Sequence, residues 1–364
     1  MVRGAAALLL AGLLLASRGA AGARQEPPED PPREGFGDAI TVALDTITVR
    51  VVDDSGRPVL DLAPEDFRVI VHGREIPVVA VDWVSSETVQ GPRVEPLPME
   101  EGVPAPHPAP GKLVVFFVQA DLNPTRISGQ MRMRPYTRDL LASLHPSDRV
   151  AVVSYDSHLK LWLDFTDDRE AVHRAVDRAM IFTREAEVAP SGPPSLAEGF
   201  DFAAARRAAS PERALEMTAR ALAGLPGEKT MIYLGWGLGR FGTGGVRMTP
   251  DYKPAVKALS RARVSVFVLD VTSADYHSLE VGLQSVAEAT GGTYASTFRL
   301  PGVATGRIAR AISGWYVLTF DRNALDGIEP GQVTVKLRGR RGEVLARPVT
   351  LSSTSAWPGS STRP

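Results

Sequence analysis

Gly237-Leu-Gly239-Arg-Phe-Gly242 spells G-x-G-x-x-G directly after the apolar run Met231–Leu234, and Asp270 closes the next apolar run. Glycines at that spacing let a backbone approach a pyrophosphate, with an acid further on for a ribose hydroxyl. Two features argue against dinucleotide chemistry. A helix should open at the last glycine, yet Thr243-Gly-Gly-Val-Arg-Met-Thr249-Pro250 intervenes. Asp270 also stands 33 residues beyond Gly237, further than the usual ~20. The segment therefore reads as a surface loop. Asp156-Ser157-His158 holds an acid, a hydroxyl and a base, but adjacent residues at a strand end cannot all converge on one substrate. No G-x-S-x-G elbow is present either, so this too reads as a turn. The six histidines (His72, His107, His145, His158, His173 and His277) include no i,i+4 pair and no H-E-x-x-H, the helical zinc pattern. Cysteine is absent, which removes disulfides, thiolate metal sites, iron–sulfur clusters and a cysteine nucleophile.

The chain that must position these residues has 364 residues, 44% of them hydrophobic, and a net charge of −1. The apolar share excludes wholesale disorder, and the length suits two domains. Near-neutrality gives no overall drive toward nucleic acid or anionic lipid. Arg338, Arg340 and Arg341 form a tight basic cluster that decorates a hairpin turn. Residues 1–23 carry Arg3, an apolar run from Ala5 to Ala16, and Ala21-Gly22-Ala23, a small-x-small cleavage pattern. This is the layout of an export signal, too short to span a bilayer. No later segment is apolar enough for an integral membrane span once the signal is removed. The expected compartment is periplasmic or extracellular.

Residues 24–38 are Pro-rich and charged and read as a flexible tether. Residues 39–84 alternate as strands around turns at Asp53–Gly56 and His72–Glu75, the N-terminal part of a β domain. Residues 85–111 form a Pro-rich linker. From 112 to 312 the pattern switches to continuous apolar runs (Leu113–Val118, Val150–Tyr155, Met231–Leu234, Val264–Leu269), expected of strands buried on both faces. Leu159–Leu163 alternates like an edge strand. Helices are expected around 127–144, over Arg169–Ile181, over Ser195–Leu225 with a break at Pro211, over Tyr252–Arg263 and over Leu279–Thr290. Residues 313–352 return to strands that complete the β domain, which residues 39–84 alone could not stabilise. Residues 353–364 read as a disordered tail. The expected fold is α/β, a doubly wound, mostly parallel sheet inserted in a small antiparallel β domain.

The landmark order carries a resemblance. Residues 47–82, "ITVRVVDDSGRPVLDLAPEDFRVIVHGREIPVVAVD", hold a D-x-x-G-x-P-V-x-D-L-x-x-x-D-F pattern. They are followed by "KLVVFFVQADLN", "LHPSDRVAVVSYDSHLKLWLDFTDD", "LAGLPGEKTMIYLGWGL", "VSVFVLDV", "SVAEATGGTYA" and "IARAISGWYVLTFD". Over residues 40–350 the chain resembles von Willebrand factor A-like domain proteins of the exported, acidobacterial-related kind. That resemblance implies a metal-ion-dependent adhesion site at the carboxyl ends of the strands. An Asp-x-Ser-x-Ser loop, a Thr and a further Asp would hold Mg²⁺ or Ca²⁺, leaving a position open for an acidic group of the partner.

The chain departs from that pattern. The loop after Val118 offers Gln119, Asp121 and Asn123, or in a shifted register Asp121, Asn123 and Thr125. Ser195 stands for the Thr, and Gly235-Trp236-Gly237 replaces the second acid. Asp121, Asn123 and Ser195 are thus the residues of a degenerate metal site, and Asp121 and Asn123 alternatively cap the first helix. Gln119, Thr125 and Trp236 are the candidate partner-binding residues. The functional expectation is an exported, non-enzymatic, adhesion-type module with a protein partner and no certain cofactor. The alternatives are an envelope structural or assembly factor acting through the β domain and, third, a nucleotide-cofactor enzyme using Gly237–Gly242.

Overall fold

The computed structural model describes residues 44–85, 111–181, 187–325, 328 and 331–351. The export signal, the tether, nearly all of the 85–111 linker and the 353–364 tail lie outside the described residues.

Four strands open the described chain: β1 (Leu44–Val52), β2 (Phe67–Val71), β3 (Arg74–Ile76) and β4 (Val78–Ser85). In β2, Phe67, Val69 and Val71 are buried while Arg68 is exposed, the period-2 pattern that puts one face of a strand on a core. The turn after β1 is closed by Asp53, whose Oδ1 accepts from the backbone nitrogens of Ser55 and Arg57 at 2.8 and 2.9 Å. Gly56 there takes φ +80°, and a Cβ would lie 2.6 Å from the Arg307 carbonyl oxygen.

The middle of the chain alternates strand and helix. Its elements are β5 (Leu113–Gln119), α1 (Pro124–Ala142), β6 (Arg149–Tyr155), β7 (Leu159–Thr166), α2 (Arg169–Met180), α3 (Phe202–Ala205), α4 (Pro211–Leu222) and β8 (Lys229–Gly235). There follow a short hairpin, β9 (Arg240–Gly242) and β10 (Gly245–Arg247), then α5 (Tyr252–Arg261), β11 (Val264–Asp270), α6 (Glu280–Ala289), β12 (Tyr294–Ser296) and α7 (Pro301–Ala311). The main sheet has the order β12-β11-β8-β5-β6-β7. Its pairings are parallel except β6 with β7, which is antiparallel. Every residue of β5, β8 and β11 is buried, so these strands read as unbroken apolar runs. Val115 and Phe117 face a core shared with Leu215, Leu222, Leu259 and Val286 of α4, α5 and α6. Val114 and Phe116 face the opposite core, with Met133, Leu140, Val176 and Ile308 of α1, α2 and α7. Helices therefore cover both faces.

Ser195–Ser210, expected to be helical, holds only a 3₁₀ turn over Ala197–Gly199 and the four-residue α3. The cause is local. Asp164 of β7 accepts from the backbone nitrogens of Leu196 (2.6 Å) and Ala197 (3.2 Å), giving a buried acceptor to amides that start this segment.

The last strands are β13 (Gly314–Asp321), β14 (Gly331–Leu337), β15 (Glu343–Ala346) and β16 (Thr350–Leu351). They pair with the first four in two four-stranded antiparallel sheets, β15-β1-β13-β4 and β16-β14-β2-β3. Ile47, Val49, Phe67, Val69, Tyr316, Leu318 and Phe320 share the core of these sheets. The basic turn after β14 is neutralised by ion pairs, Arg338 with Glu75 and Arg340 with Asp66.

Buried charges join these sheets to the amino edge of the parallel sheet. Arg347 makes a two-bonded ion pair with Glu228, just before β8; its Nη2 lies 2.7 Å from Oε1. Arg50 of β1 donates from Nη1 to Ser265 Oγ of β11 at 3.2 Å. Lys112, before β5, donates to the Ile312 carbonyl at 2.8 Å and lies 3.4 Å from Asp148, before β6. Burial lowers the Arg50 guanidinium to about 10, opposed by Glu228. Burial pushes the Glu228 carboxyl up, but Arg347 and Arg50 outweigh it and leave it below its ordinary range. The amino edge thus packs against the antiparallel sheets through Arg347–Glu228 and Arg50–Ser265.

Candidate functional site

The loops leaving β5, β6 and β8 at the carboxyl edge enclose a cleft of roughly 480 Å³, lined among others by Gln119, Asp121, Tyr155, Pro211, Trp236 and Gly239. This is the crevice at which open α/β sheets generally bind. The sequence-derived residues divide sharply within it.

Gln119 is 1% exposed and works as a clamp. Its Nε2 donates to the Gly237 carbonyl at 2.8 Å. Its Oε1 accepts from the backbone nitrogens of Trp236 (3.0 Å) and Gly237 (3.3 Å). Both ends of the amide hold the β8 loop, and at 1% exposure Gln119 is buried away from a partner's reach. Asn123 caps α1, accepting from Thr125 N at 3.0 Å and from Thr125 Oγ1 at 2.7 Å; Thr125 is spent in the same cap. Asp121 accepts from Asn123 N at 2.8 Å and is ion-paired with Arg126. The Arg126 guanidinium lies over the Trp236 ring, 3.3 Å from its centroid. Trp236 is half-buried beneath it, rather than an exposed aromatic anchor.

The structure does not bring Ser195 to this loop. Its hydroxyl donates to Asp164 Oδ2 at 2.6 Å and accepts from Glu198 N at 3.2 Å. Asp164 lies between the β7 residues paired with Val150 and Val152, near the start of β6 and hence toward the amino edge. Burial pushes Asp164 up, but the bonds from Ser195, Ser191 and Leu196 hold it below the usual carboxylate range.

The ion implied by the resemblance does not fit. Asp121 already has a cation in Arg126, Asn123 is occupied by the helix cap, Ser195 is elsewhere, and the β8 end contributes backbone only. One engaged carboxylate cannot replace the water that Mg²⁺ surrenders reluctantly. Glu212, which the spacing did not single out, occupies the space behind the cleft instead. It is 1% exposed, its Oε1 accepts from Gly239 N at 2.8 Å, and its Oε2 has no hydrogen-bond partner. Ser210-Pro211-Glu212, a helix-start signature, was the signal that could have placed it here; Ser210 does cap α4 through Arg213 N at 3.1 Å.

The remaining motifs resolve as follows. Gly242 lies in β9, one strand of a hairpin, and α5 opens only at Tyr252, so the last glycine of the motif does not open the helix that follows it, as the dinucleotide fingerprint requires. In Asp156-Ser157-His158, the Ser157 hydroxyl lies 3.0 Å from both Asp156 Oδ1 and His158 Nδ1. Asp156 is committed to Lys160 Nζ at 2.6 Å. Burial raises Asp156, but Lys160 and Ser157 prevail and hold it low. The three residues make a turn, in which His158 Nδ1 also lies 3.9 Å from Asp156 Oδ1.

A second polar cluster follows β11. Asp270, His277 and Glu280 each place a ligand atom within 4.8 Å of the others, a set that could hold a metal ion. His277 Nε2 lies 2.7 Å from Asp270 Oδ2, and the Tyr294 hydroxyl donates to the same oxygen at 2.7 Å. Burial works against the Asp270 carboxylate, yet bonds from His277, Thr272 and Tyr294 hold it below its ordinary value. Burial and the Asp270 charge push the Tyr294 phenol up.

No protein-family model matches the sequence, and no curated protein matches it. Among solved structures the chain is similar to a von Willebrand factor type A protein from Catenulispora acidiphila (12% identity, TM-score 0.38, 85% of this chain and 72% of that one). It is also similar to the conserved hypothetical protein BatB from Bacteroides thetaiotaomicron (14% identity, TM-score 0.38, 56% and 98%). A third is the PilB minor pilin from Streptococcus sanguinis (10% identity, TM-score 0.37, 57% and 63%). At these values the likenesses carry no argument about family or activity. Among the described residues, no helix is long and apolar enough to cross a membrane.

Proposed function

We propose that the protein is an exported, non-enzymatic binding module that presents the carboxyl edge of its parallel sheet to a partner protein. One observation carries this reading. The five most exposed large apolar side chains among the described residues are Leu122 (73%), Tyr276 (72%), Phe241 (69%), Leu300 (64%) and Val303 (60%). Leu122 follows β5, Phe241 lies in the hairpin after β8, Tyr276 follows β11, and Leu300 and Val303 follow β12. Those strands are neighbours in the sheet, so the exposed groups rim one edge around the cleft. Exposed large apolar side chains gathered at one edge of a sheet are the kind of surface at which proteins interact. The opposite edge is closed by Arg347–Glu228, Arg50 and Lys112. Export rests on the Arg3–Ala23 pattern, and the division of the chain into a split β domain around an α/β domain is part of the same proposal. The carboxyl edge works without an ion in the β5–α1 loop, where Arg126 already supplies the positive charge.

The test is retention of cell-envelope proteins on the immobilised chain. A Leu122→Asp, Phe241→Asp, Tyr276→Asp variant should lose the retained protein while its circular dichroism and melting curve stay unchanged. Val79→Asp, on the edge strand β4 and 57% exposed, should leave retention intact. The converse, loss with Val79→Asp alone, would favour the assembly role of the antiparallel sheets.

A further inference from the structure

The cluster after β11 is a candidate cation site of a different kind from the loop after β5. Asp270 ends β11, Glu280 opens α6, and His277 lies in the loop between them. Asp270 and Glu280 are 2% and 8% exposed, so two carboxylates sit buried around one imidazole. Their hydrogen bonding is unequal. Asp270 is well served, with Thr272 N at 2.9 Å on Oδ1 and His277 and Tyr294 each at 2.7 Å on Oδ2. Glu280 is not. Its contacts are His277 N at 3.4 Å, the Tyr294 hydroxyl at 3.5 Å and Gln284 Nε2 at 3.5 Å, all at the outer limit of hydrogen bonding. A buried carboxylate so poorly served beside a second carboxylate carries a large desolvation penalty. Glu280 Oε2 shares the Tyr294 hydroxyl with Asp270 Oδ2, so both carboxylates face the same space.

We propose that Asp270, His277 and Glu280 form a binding site for a single divalent ion of the Zn²⁺ class. Two carboxylate oxygens and an imidazole nitrogen suit Zn²⁺ or Mn²⁺ better than Mg²⁺ or Ca²⁺, which prefer all-oxygen shells. Three protein ligands leave a fourth tetrahedral position, for which the Tyr294 hydroxyl or water is at hand. The ion takes the place of the hydrogen bond between His277 Nε2 and Asp270 Oδ2, which leaves His277 neutral and the two carboxylate charges balanced. It thereby ties the end of β11, the start of α6 and the 271–279 loop together at one point. The site stands on these residues alone and holds whether or not the carboxyl edge binds a partner.

The experiment uses the untagged full chain, stripped with chelator and titrated with Zn²⁺, Mn²⁺ and Mg²⁺ by calorimetry, with melting followed in parallel. Zn²⁺ should bind stoichiometrically at micromolar concentration or below and raise the melting temperature, and Mg²⁺ should do neither. Glu280→Gln keeps the shape of the side chain but removes its charge and one acceptor oxygen, and should weaken Zn²⁺ by at least about tenfold; His277→Ala should do the same. Co²⁺ should give a visible absorption band in the wild type that Glu280→Gln lacks. No heat and no thermal shift with Zn²⁺ in the wild type would overturn the proposal, as would undiminished binding in both variants, which would place the ion elsewhere.

Discussion

Replacing Gln119 by Met tests whether this side chain serves the fold or a ligand. Met matches the length and flexibility of Gln but removes the amide. Three backbone groups then lose their partner: the Gly237 carbonyl, bonded at 2.8 Å, and the Trp236 and Gly237 amides, bonded at 3.0 and 3.3 Å. The site is 1% exposed, so water cannot replace the amide without a rearrangement of the loop. At about 1 kcal/mol for each bond, the low end for a buried group left unpaired, the loss is about 3 kcal/mol. That is more than about a hundredfold in the folding equilibrium. With an m-value of about 3 kcal/mol/M in urea, the midpoint should fall by about 1 M. The measurement is urea unfolding followed by tryptophan fluorescence, because Trp236 sits in the affected loop. A midpoint within about 0.2 M of wild type would refute the clamp and return Gln119 to the candidates for ligand contact.

Four further outcomes follow from the same geometry. Ser195→Ala removes a 2.6 Å bond to Asp164 and should cost about 2 kcal/mol without changing partner retention or any Mg²⁺ or Ca²⁺ response; a loss of retention would reinstate Ser195 at the site. Asp164 has its folded value below its unfolded one, so its contribution is present above the unfolded value and is lost as pH falls through the folded one. Ser195→Ala should therefore move the acid-unfolding midpoint to higher pH, read by circular dichroism. Arg347→Ala leaves Glu228 buried without its two-bonded partner and should cost about 3 kcal/mol in chemical denaturation, again with retention intact. Arg126→Ala uncovers the Trp236 ring and should shift its emission to the red; an unchanged spectrum would mean the stacking does not persist in solution.

The fold was readable where burial is uniform or strictly alternating. Val114–Val118 and Val264–Leu269 announce themselves because both faces are covered, and Phe67–Val71 because one face is. Elements set by tertiary contact were not readable. The three-residue β12 is too short for a period, and α7 lacks a strong start signal beyond Pro301. The stretch after Ser195 looks helical in composition, but its first amides, of Leu196 and Ala197, are captured by Asp164 from a strand 32 and 33 residues earlier. The same limit governs the site. Asp121 and Asn123 were found in the right loop, because an apolar run followed by Asp and Asn marks a strand end and a cap. Their roles were decided by residues that no spacing rule connects to them. Arg126, one turn into α1, supplies the charge that a metal would otherwise bring, and Glu212 reaches the cleft from a helix 91 residues further on.

On the proposed reading, the arrangement of charges leaves one edge of the sheet for a partner. A parallel sheet has two ends, and both expose loops. Here the amino end meets the antiparallel sheets through Glu228 with Arg347 and through Arg50 with Ser265, groups that cannot be left unpaired at low cost. A partner at that end would have to displace contacts worth several kcal/mol. At the carboxyl end several polar side chains of the loops are already engaged with one another: Gln119 with Gly237, Asp121 with Arg126, Asp156 with Lys160. A partner there meets Leu122, Phe241 and Tyr276 without breaking the Arg347–Glu228 pair at the far end. Affinity at such an edge comes from apolar area and shape, with the loop ion pairs left to set orientation. Binding should accordingly depend weakly on salt. Raising ionic strength from about 0.1 to 1 M shortens the screening length from about 10 to 3 Å and should leave retention nearly unchanged, whereas recognition through exposed charge would be lost.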